Sequence, residues 1–178
     1  MTADWAKVAI ADNFVFQTTR LLIRPFIPED QQLYLDLYTN TEVMAFIGPP
    51  LDIEKARKSF QIALRLNAKE PFRRLFLAIC FDGQPIGLCA VNQWSTALAT
   101  AEIGLMLLPA WQGQGFATEA KLAFSQKVQQ VFEGVKVWTQ TDPENKTAVR
   151  SNSKAGYSAD LVEYGRYWFK VNESYTAA

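Results

Sequence analysis

A chain of 178 residues, 49% hydrophobic and 13% aromatic, is long enough for one domain with a real core and marginal for two. Lys plus Arg and Asp plus Glu both number 18, so no basic excess points to nucleic acid, and no apolar run approaches a membrane span. The chain has no histidine, which excludes imidazole chemistry and most zinc sites.

Residues 1–14 contain Asp4 and Lys7 and lack an apolar stretch, so they do not read as a signal peptide. They are expected to be a short extension ahead of a single domain over 15–178, in a cytoplasmic protein. Phe14 to Phe26 reads as one strand, with Val15, Leu21 and Ile23 alternating against polar residues. Pro28-Glu29-Asp30 opens a helix with Leu33 and Leu37 inside. Glu42 to Phe46 suits a further helical turn, and Gly48-Pro49-Pro50 is a break. Asp52 to about Lys69 is an amphipathic helix through Ile53, Ala56, Phe60, Ala63 and Leu64.

Leu75 to Phe81 and Pro85 to Val91 form a hairpin around Asp82-Gly83. In that register Cys80 faces Pro85, and Cys89 lies about 13 Å further along at the usual strand rise. That is too far for a disulfide, so both cysteines are expected in the core. Ala101 to Leu108 is the next strand, Glu119 to about Gln130 a helix, and Val135 to Gln140 a strand. Pro143-Glu144 opens the last helix, which stops at Ala155-Gly156. Two strands follow from Tyr157, the second over about 164–171. The order β-α-α-β-β-β-α-β-α-β-β describes a mixed α/β domain with no repeat.

The stretch Leu105 to Thr118 carries the chemistry. A buried strand breaks at Pro109, turns through Gly113 and Gly115, and enters a helix. The free N–H groups of a helix start and its positive dipole end make such a loop an anion seat, most naturally for phosphate. A P-loop would need Gly-Lys-Ser/Thr, and Phe116-Ala117-Thr118 has no lysine. A dinucleotide fingerprint would place an acid at the end of the next strand, and Glu133 comes before it. Gln112-x-x-Gly115-x-Ala117 remains. It closely resembles the Q/R-x-x-G-x-G/A signature with which the GNAT acyltransferase superfamily seats the pyrophosphate of coenzyme A.

The resemblance extends along the chain. Thr18 to Phe26 is similar to the opening strand of the RimJ/RimL branch of that superfamily, which includes ribosomal-protein N-terminal acetyltransferases. Glu42-Val43-Met44, Ala101-Glu102-Ile103-Gly104, Asp142-Pro143-Glu144-Asn145 and Lys154-Ala155-Gly156-Tyr157 match its later elements in order. The resemblance implies a mostly antiparallel sheet of about six or seven strands and about four helices, with the fourth and fifth strands splayed. It also implies acetyl-CoA as cosubstrate, no metal, and an amine acceptor that is a peptide N-terminus or a small molecule. No nucleic acid or membrane partner is expected, and a homodimer is left open.

By the same resemblance, the backbone of Leu105, Met106 and Leu107 binds the pantetheine arm. The N–H groups of Gln112, Gly113, Gln114, Gly115, Phe116 and Ala117 hold the pyrophosphate, with help from the Thr118 hydroxyl, and Asn145 holds the arm from the opposite wall. As a residue type, Asn145 fits an ordinary helix start equally well. Direct acyl transfer needs a base, an oxyanion donor and an acid for the leaving thiolate. A backbone N–H near Met106 or Leu107 is the expected oxyanion donor. Glu102 is the candidate base, on the expectation that burial raises its pKa; pairing with Arg24 or plain exposure is the competing reading. The family pattern often has serine three residues after the asparagine, and Ala148 stands there. Tyr157, Tyr164 and Ser151 are the candidate acids, against a core or rim role for each. Without an acid, either solvent protonates the thiolate or the chain is an acyl-CoA-binding module without turnover. Parity along the strand suggests a bulge near Gly104, bringing Glu102 to the cleft that Leu107 lines. Phe46 to Pro50, Asn92-Gln93-Trp94 and residues 164–168 are expected to line the acceptor site.

Overall fold

The computed structural model describes residues 4–163 and 166–171, with side chains described over 4–159. Its strands are β1 (Phe16–Gln17), β2 (Leu21–Pro25), β3 (Leu75–Phe81), β4 (Gln84–Ser95), β5 (Thr100–Leu107), β6 (Lys136–Thr141), β7 (Tyr157–Glu163) and β8 (Arg166–Val171). Its helices are α1 (Gln31–Tyr38), α2 (Thr41–Met44), α3 (Ile53–Asn67), α4 (Phe116–Val131) and α5 (Lys146–Lys154). The strands form one sheet in the order β1-β2-β3-β4-β5-β6-β8-β7. Every neighbouring pair is antiparallel except β5 and β6.

The sheet has apolar layers on both faces. One joins Ile23, Leu77, Ile103 and Leu107 to Phe116, Phe124 and Val128 of α4. The other joins Phe76, Leu88 and Met106 to Leu33, Leu37, Val43 and Phe60 of α1, α2 and α3. Strands β3 to β5 are therefore covered on both sides, which explains their near-continuous apolar sequence. Among the described residues no helix is long and apolar enough to cross a membrane.

Helix boundaries follow the capping residues. Asp52 accepts from the Lys55 N–H at 2.8 Å and starts α3. The Asp82-Gly83 turn has φ of 48° and 75°, the mirror-image geometry that matches strand twist. Cys80 faces Pro85 as expected, and Cys89 faces Leu77. Both thiols are free and buried, in the two opposite apolar layers.

The structure departs from the sequence reading in three places. The strand expected over Phe14 to Phe26 is a hairpin: the Thr18 N–H bonds the Leu21 carbonyl at 2.8 Å, and Phe16 pairs with Ile23. This adds an eighth strand.

The bulge expected near Gly104 lies instead on the neighbouring strand. Pairing runs without interruption from Ile103↔Val91 through Gly104↔Ala90 to Leu107↔Gly87, while the register shifts between Val91 and Gln93. The extra residue is Asn92. One added residue turns two consecutive side chains to the same face, so Asn92 and Gln93 both point away from the α4 layer. Trp94 then returns to that layer, beside Trp5 and Phe132. Trp94 donates from its indole to the Phe72 carbonyl at 2.9 Å, and so it does not line the acceptor site.

Third, the segment read as an extension packs into the domain. Trp5, Ala9 and Phe14 are buried, and the Phe72 N–H bonds the Ala9 carbonyl at 2.9 Å. Phe14 meets Phe72 and Phe124 edge-on. Phe14→Ala should cost about 3–5 kcal/mol in urea unfolding, the usual loss for a buried phenylalanine. A loss below about 1 kcal/mol would place this segment outside the core.

Candidate active site

Strands β5 and β6 pair only over Thr100–Glu102 and Lys136–Trp138. Beyond that point they part, and Ile103–Leu107 faces Thr139–Thr141 across a gap. The strand register tells which backbone groups are free. The Leu108 N–H donates to the Ile86 carbonyl of the β4 side at 3.0 Å. Backbone direction alternates along an antiparallel strand, so Met106 and Gly104 also turn their N–H and C=O groups to β4. Leu105 and Leu107 turn theirs into the gap. Of the three residues expected to bind an arm, Leu105 and the N–H of Leu107 are thus available, the Leu107 carbonyl being taken by the Gln112 amide. Met106 is occupied by the ladder and contributes a side chain instead.

The gap opens into two joined lobes of about 420 and 270 Å³. The smaller is lined by Leu105, Leu107, Gln112, Gly113, Ala117 and Ser151, among others, at the start of α4. The larger is lined by Tyr38, Arg74, Asn92, Glu102, Gly104 and Asp142, among others. Phe46, Ile47, Leu105, Lys121, Asn145 and Ala148 border both.

The smaller lobe has the makings of an anion seat. Gly113 and Gly115 have φ of 73° and 84°, a region that disfavours any side chain. Gly115 is the residue from which α4 starts. The first intrahelical bond runs from the Glu119 N–H to the Gly115 carbonyl at 3.1 Å, so the N–H groups of Phe116, Ala117 and Thr118 precede it. Gln112 braces this loop: its amide donates to the Leu107 carbonyl at 3.0 Å and is not directed at a phosphate. Gln114 likewise donates to the Ala110 carbonyl at 2.8 Å. The Thr118 hydroxyl lies 3.4 Å from that of Ser151 on α5, tying the two helices. Phe116 is buried, so only its backbone can serve the lobe.

A latch missing from the sequence reading holds this loop. Arg20, at the turn before β2, bonds the Glu119 carboxylate through Nε at 2.7 Å and through its backbone N–H at 2.9 Å. It also donates to the Gln114 carbonyl at 3.2 Å, and its guanidinium lies 4.2 Å from the Phe116 ring centroid. Thr18 adds a hydroxyl bond to Glu119 at 2.6 Å. Partial burial pushes the Glu119 carboxyl up, but the hydrogen bonds from Thr18 and Arg20 prevail and hold it below its ordinary range. The partners lie 99 residues apart, so no local pattern could have shown them.

In the larger lobe, Glu102 is half-buried and reaches the cleft through a regular β5. Side chains leave a sheet perpendicular to its plane, while backbone groups lie within it. Glu102 can therefore face the lobe while Leu105 and Leu107 present backbone to the gap, and no bulge at Gly104 is needed. The bulge at Asn92 has another effect. Asn92 Nδ2 donates to Glu102 Oε1 at 3.0 Å and Gln93 Nε2 to Oε2 at 3.1 Å. Glu102 does not pair with Arg24, which forks onto Asp30 at 2.7 and 2.9 Å.

Asn145 takes the helix-start role. Its Oδ1 caps α5 by accepting from the Ala148 N–H at 3.0 Å, which leaves its NH₂ group at the border of the two lobes. Ala148 borders both lobes as well, so the position of the family serine is in the cleft but carries no hydroxyl. Tyr157 is 3% exposed and its hydroxyl shares a short hydrogen bond with Ser125. Burial pushes its pKa far up, and it lines neither lobe. Tyr164 lies outside the described residues. Lys121, which the sequence analysis did not single out, is 6% exposed and lines both lobes. Its place on the inner stripe of α4 with Phe116, Ala120, Phe124 and Val128 was the available signal.

A family model described as an acetyltransferase (GNAT) domain matches residues 20–158. The chain belongs to the GNAT acetyltransferase family. As a GNAT member it is an acetyl-CoA-dependent acetyltransferase. A search of curated proteins finds no match. Among solved structures, the GNAT fold recurs in an acetyltransferase from Agrobacterium tumefaciens at 21% identity and a TM-score of 0.75, with 89% of this chain and 94% of that one aligned. RimL, described as a ribosomal L7/L12 alpha-N-protein acetyltransferase in complex with coenzyme A, aligns at 16% identity and 0.75, over 88% of this chain and 96% of that one. The microcin C7 self-immunity acetyltransferase MccE, in complex with acetyl-CoA and AMP, aligns at 17% and 0.71, over 86% and 92%.

Two outcomes follow for the loop. Gly115→Val should lower coenzyme A affinity at least tenfold, about 1.4 kcal/mol, in calorimetry; unchanged affinity in a folded variant would remove the loop from binding. The Glu119 carboxyl has a lower pKa folded than unfolded, so its contribution to stability is present above about pH 4.3, its ordinary value, and is lost as pH falls through the folded value. Urea unfolding of Glu119→Gln between pH 7 and pH 3 should therefore show a smaller acid loss than the parent. Equal losses would mean the latch carries no stability.

Proposed function

We propose that this protein moves the acetyl group of acetyl-CoA directly to a primary amine, either a peptide N-terminus or a small amine. The observation that carries the reading is the continuity of the gap. It runs from the glycine loop, past the Leu107 N–H and the backbone of Leu105, to the Glu102 carboxylate in the wider lobe. The residues fit the donor: a helix start suits its pyrophosphate, an unpaired strand edge its amide arm, and the Asn145 NH₂ group the facing side. Bound there, acetyl-CoA supplies an activated thioester.

The chain's residues supply the rest. The backbone N–H groups of Leu105 and Leu107, turned into the gap, are the donors for a developing oxyanion; Met106 is removed from that role by its pairing with Leu88. Glu102, oriented by Asn92 and Gln93, accepts the proton of the incoming ammonium directly or through a water. Direct transfer agrees with the state of the thiols. Burial pushes the pKa of both Cys80 and Cys89 up and neither lines the lobes, so neither is poised to carry an acyl group. The larger lobe has Arg74, Glu102 and Asp142 on its walls and exposed Phe46 and Ile47 at its border. Such a mouth admits a mixed-polarity acceptor, as an amino-terminal residue is. RimL, described as a ribosomal L7/L12 alpha-N-protein acetyltransferase, is a case of the same fold serving that class.

The test is acetyl-CoA consumption with a panel of short peptides and small amines. Glu102→Gln should cut turnover about a hundredfold or more while coenzyme A affinity stays within about twofold. Near-normal turnover in that variant would remove Glu102 from proton transfer. Tight coenzyme A binding by the parent without turnover across the panel would favour the binding-module reading.

A further inference from the structure

Lys121 is the oddest residue of the cleft. A lysine normally keeps its ammonium in water, and burying one without a carboxylate is costly. Here α4 turns it inward with Phe116, Ala120, Phe124 and Ser125. Its Nζ donates to Asn152 Oδ1 on α5 through a short hydrogen bond. Asn152 is wholly buried and held in that orientation because its Nδ2 donates to Thr141 Oγ1 of β6 at 3.0 Å. The ammonium lies 5.9 Å from the centroid of the Tyr157 ring on β7. Ser125 closes the floor by donating to the Lys121 carbonyl at 2.7 Å.

The charged and titratable groups around this position are few. Glu102 of β5, Arg74 just before β3, Asp142 after β6 and Tyr38 of α1 share the larger lobe, Glu42 of α2 lines the smaller one, and Tyr157 of β7 lies beneath. Among the described residues no carboxylate forms an ion pair with Lys121, and Asn152 is its one hydrogen-bond acceptor. Burial therefore lowers its pKa to about 8. Three N–H bonds on the ammonium and one partner leave donors to spare. Lys121 also borders both lobes, at the passage between the cofactor side and Glu102. Ala148, which carries no hydroxyl, borders the same passage and leaves it open.

Resting on the acetyl transfer proposed above, we infer that Lys121 is the acid that delivers a proton to the departing sulfur of coenzyme A. As the carbon–sulfur bond breaks, its electron pair goes to sulfur. An N–H bond of the Lys121 ammonium then breaks and an S–H bond forms, leaving lysine neutral. The acceptor ammonium gives up two protons, one to Glu102 before attack and one from the tetrahedral nitrogen as the intermediate collapses; both pass to solvent, and neutral Lys121 regains one proton from solvent before the next turnover. Transfer of the acetyl group thus consumes no further reactant. The fixed Asn152 bond aims the ammonium, and the low polarity of the site brings it close to working pH, as an acid in turnover requires.

The experiment measures kcat, KM and coenzyme A affinity against pH for the parent, Lys121→Met and Lys121→Arg. In the parent, kcat should fall on the alkaline side with a midpoint near 8, as the donor loses its proton. Lys121→Met should lower kcat at least tenfold and abolish that limb, with coenzyme A affinity within about twofold. Lys121→Met removes a buried charge but also leaves Asn152 Oδ1 without its donor, so the thermal midpoint is measured alongside, and Lys121→Arg, which keeps a donor, separates loss of the acid from loss of the fold. Lys121→Arg, always protonated, should move the limb beyond the measured range while retaining more activity than the methionine variant. An unchanged alkaline limb or a kcat within twofold in Lys121→Met would overturn the inference. So would an intact mass showing Lys121 itself acetylated by acetyl-CoA with loss of turnover, because the lysine would then be an acceptor. If the parent does not turn over acetyl-CoA with any amine, the failure lies in the proposed function and not in the assignment of Lys121.

Discussion

The loss of pairing between β5 and β6 after Glu102 and Trp138 is the constraint on which the site depends. A strand buried in a sheet normally spends every N–H and C=O group on its neighbours. Here Leu105 and the N–H of Leu107 face a gap, while the Leu107 carbonyl accepts from the Gln112 amide. An unpaired edge inside a covered sheet is costly unless something pairs with it, and an extended ligand with amide groups can do so. The rest of the architecture keeps the gap open at one end and shut at the other. Pairing at Thr100–Glu102 closes its base, α4 floors it, and α5 with Asn145 forms the opposite wall.

Two devices give this gap its chemistry. The bulge at Asn92 converts one strand position into two, so that two neighbouring amides reach one carboxylate. A regular strand would send Gln93 to the other face and leave Glu102 with one donor. The second device is the link from Thr18 and Arg20 to Glu119 and Gln114. It anchors the first turn of α4, whose free N–H groups face the smaller lobe, to the first strands of the sheet. A helix end is a weak and local source of positive potential, effective only where it is held still and partly shielded from water. The latch does the holding, and Phe116 under the Arg20 guanidinium supplies cover.

Much of this was readable from local pattern. The two-residue hairpin placed Cys80 opposite Pro85, because a turn of fixed length fixes register. The glycines at 113 and 115 marked a turn, and both have the positive φ that glycine tolerates. What escaped was either long-range or one position off. The partners of the Glu119 latch are far apart in sequence. The bulge belongs to the partner strand of the one searched, and alternation in β5 alone could not reveal it. Trp5 and Phe14 sit in a segment too short and irregular to show periodicity, yet their rings fill the end of the α4 layer. Lys121 was passed over because a lysine reads as a surface residue whatever its position on a helix. The 3.6-residue spacing was the better guide.

Amide hydrogen exchange at three consecutive residues tests most directly that the unpaired edge of β5 is the donor's docking edge. On adding coenzyme A, the N–H groups of Leu105 and Leu107 should become protected. Met106, already bonded within the β4–β5 ladder, should change little. Protection that skips Leu105 and Leu107, or no change in β5 under saturating coenzyme A, would contradict a ligand strand in the gap.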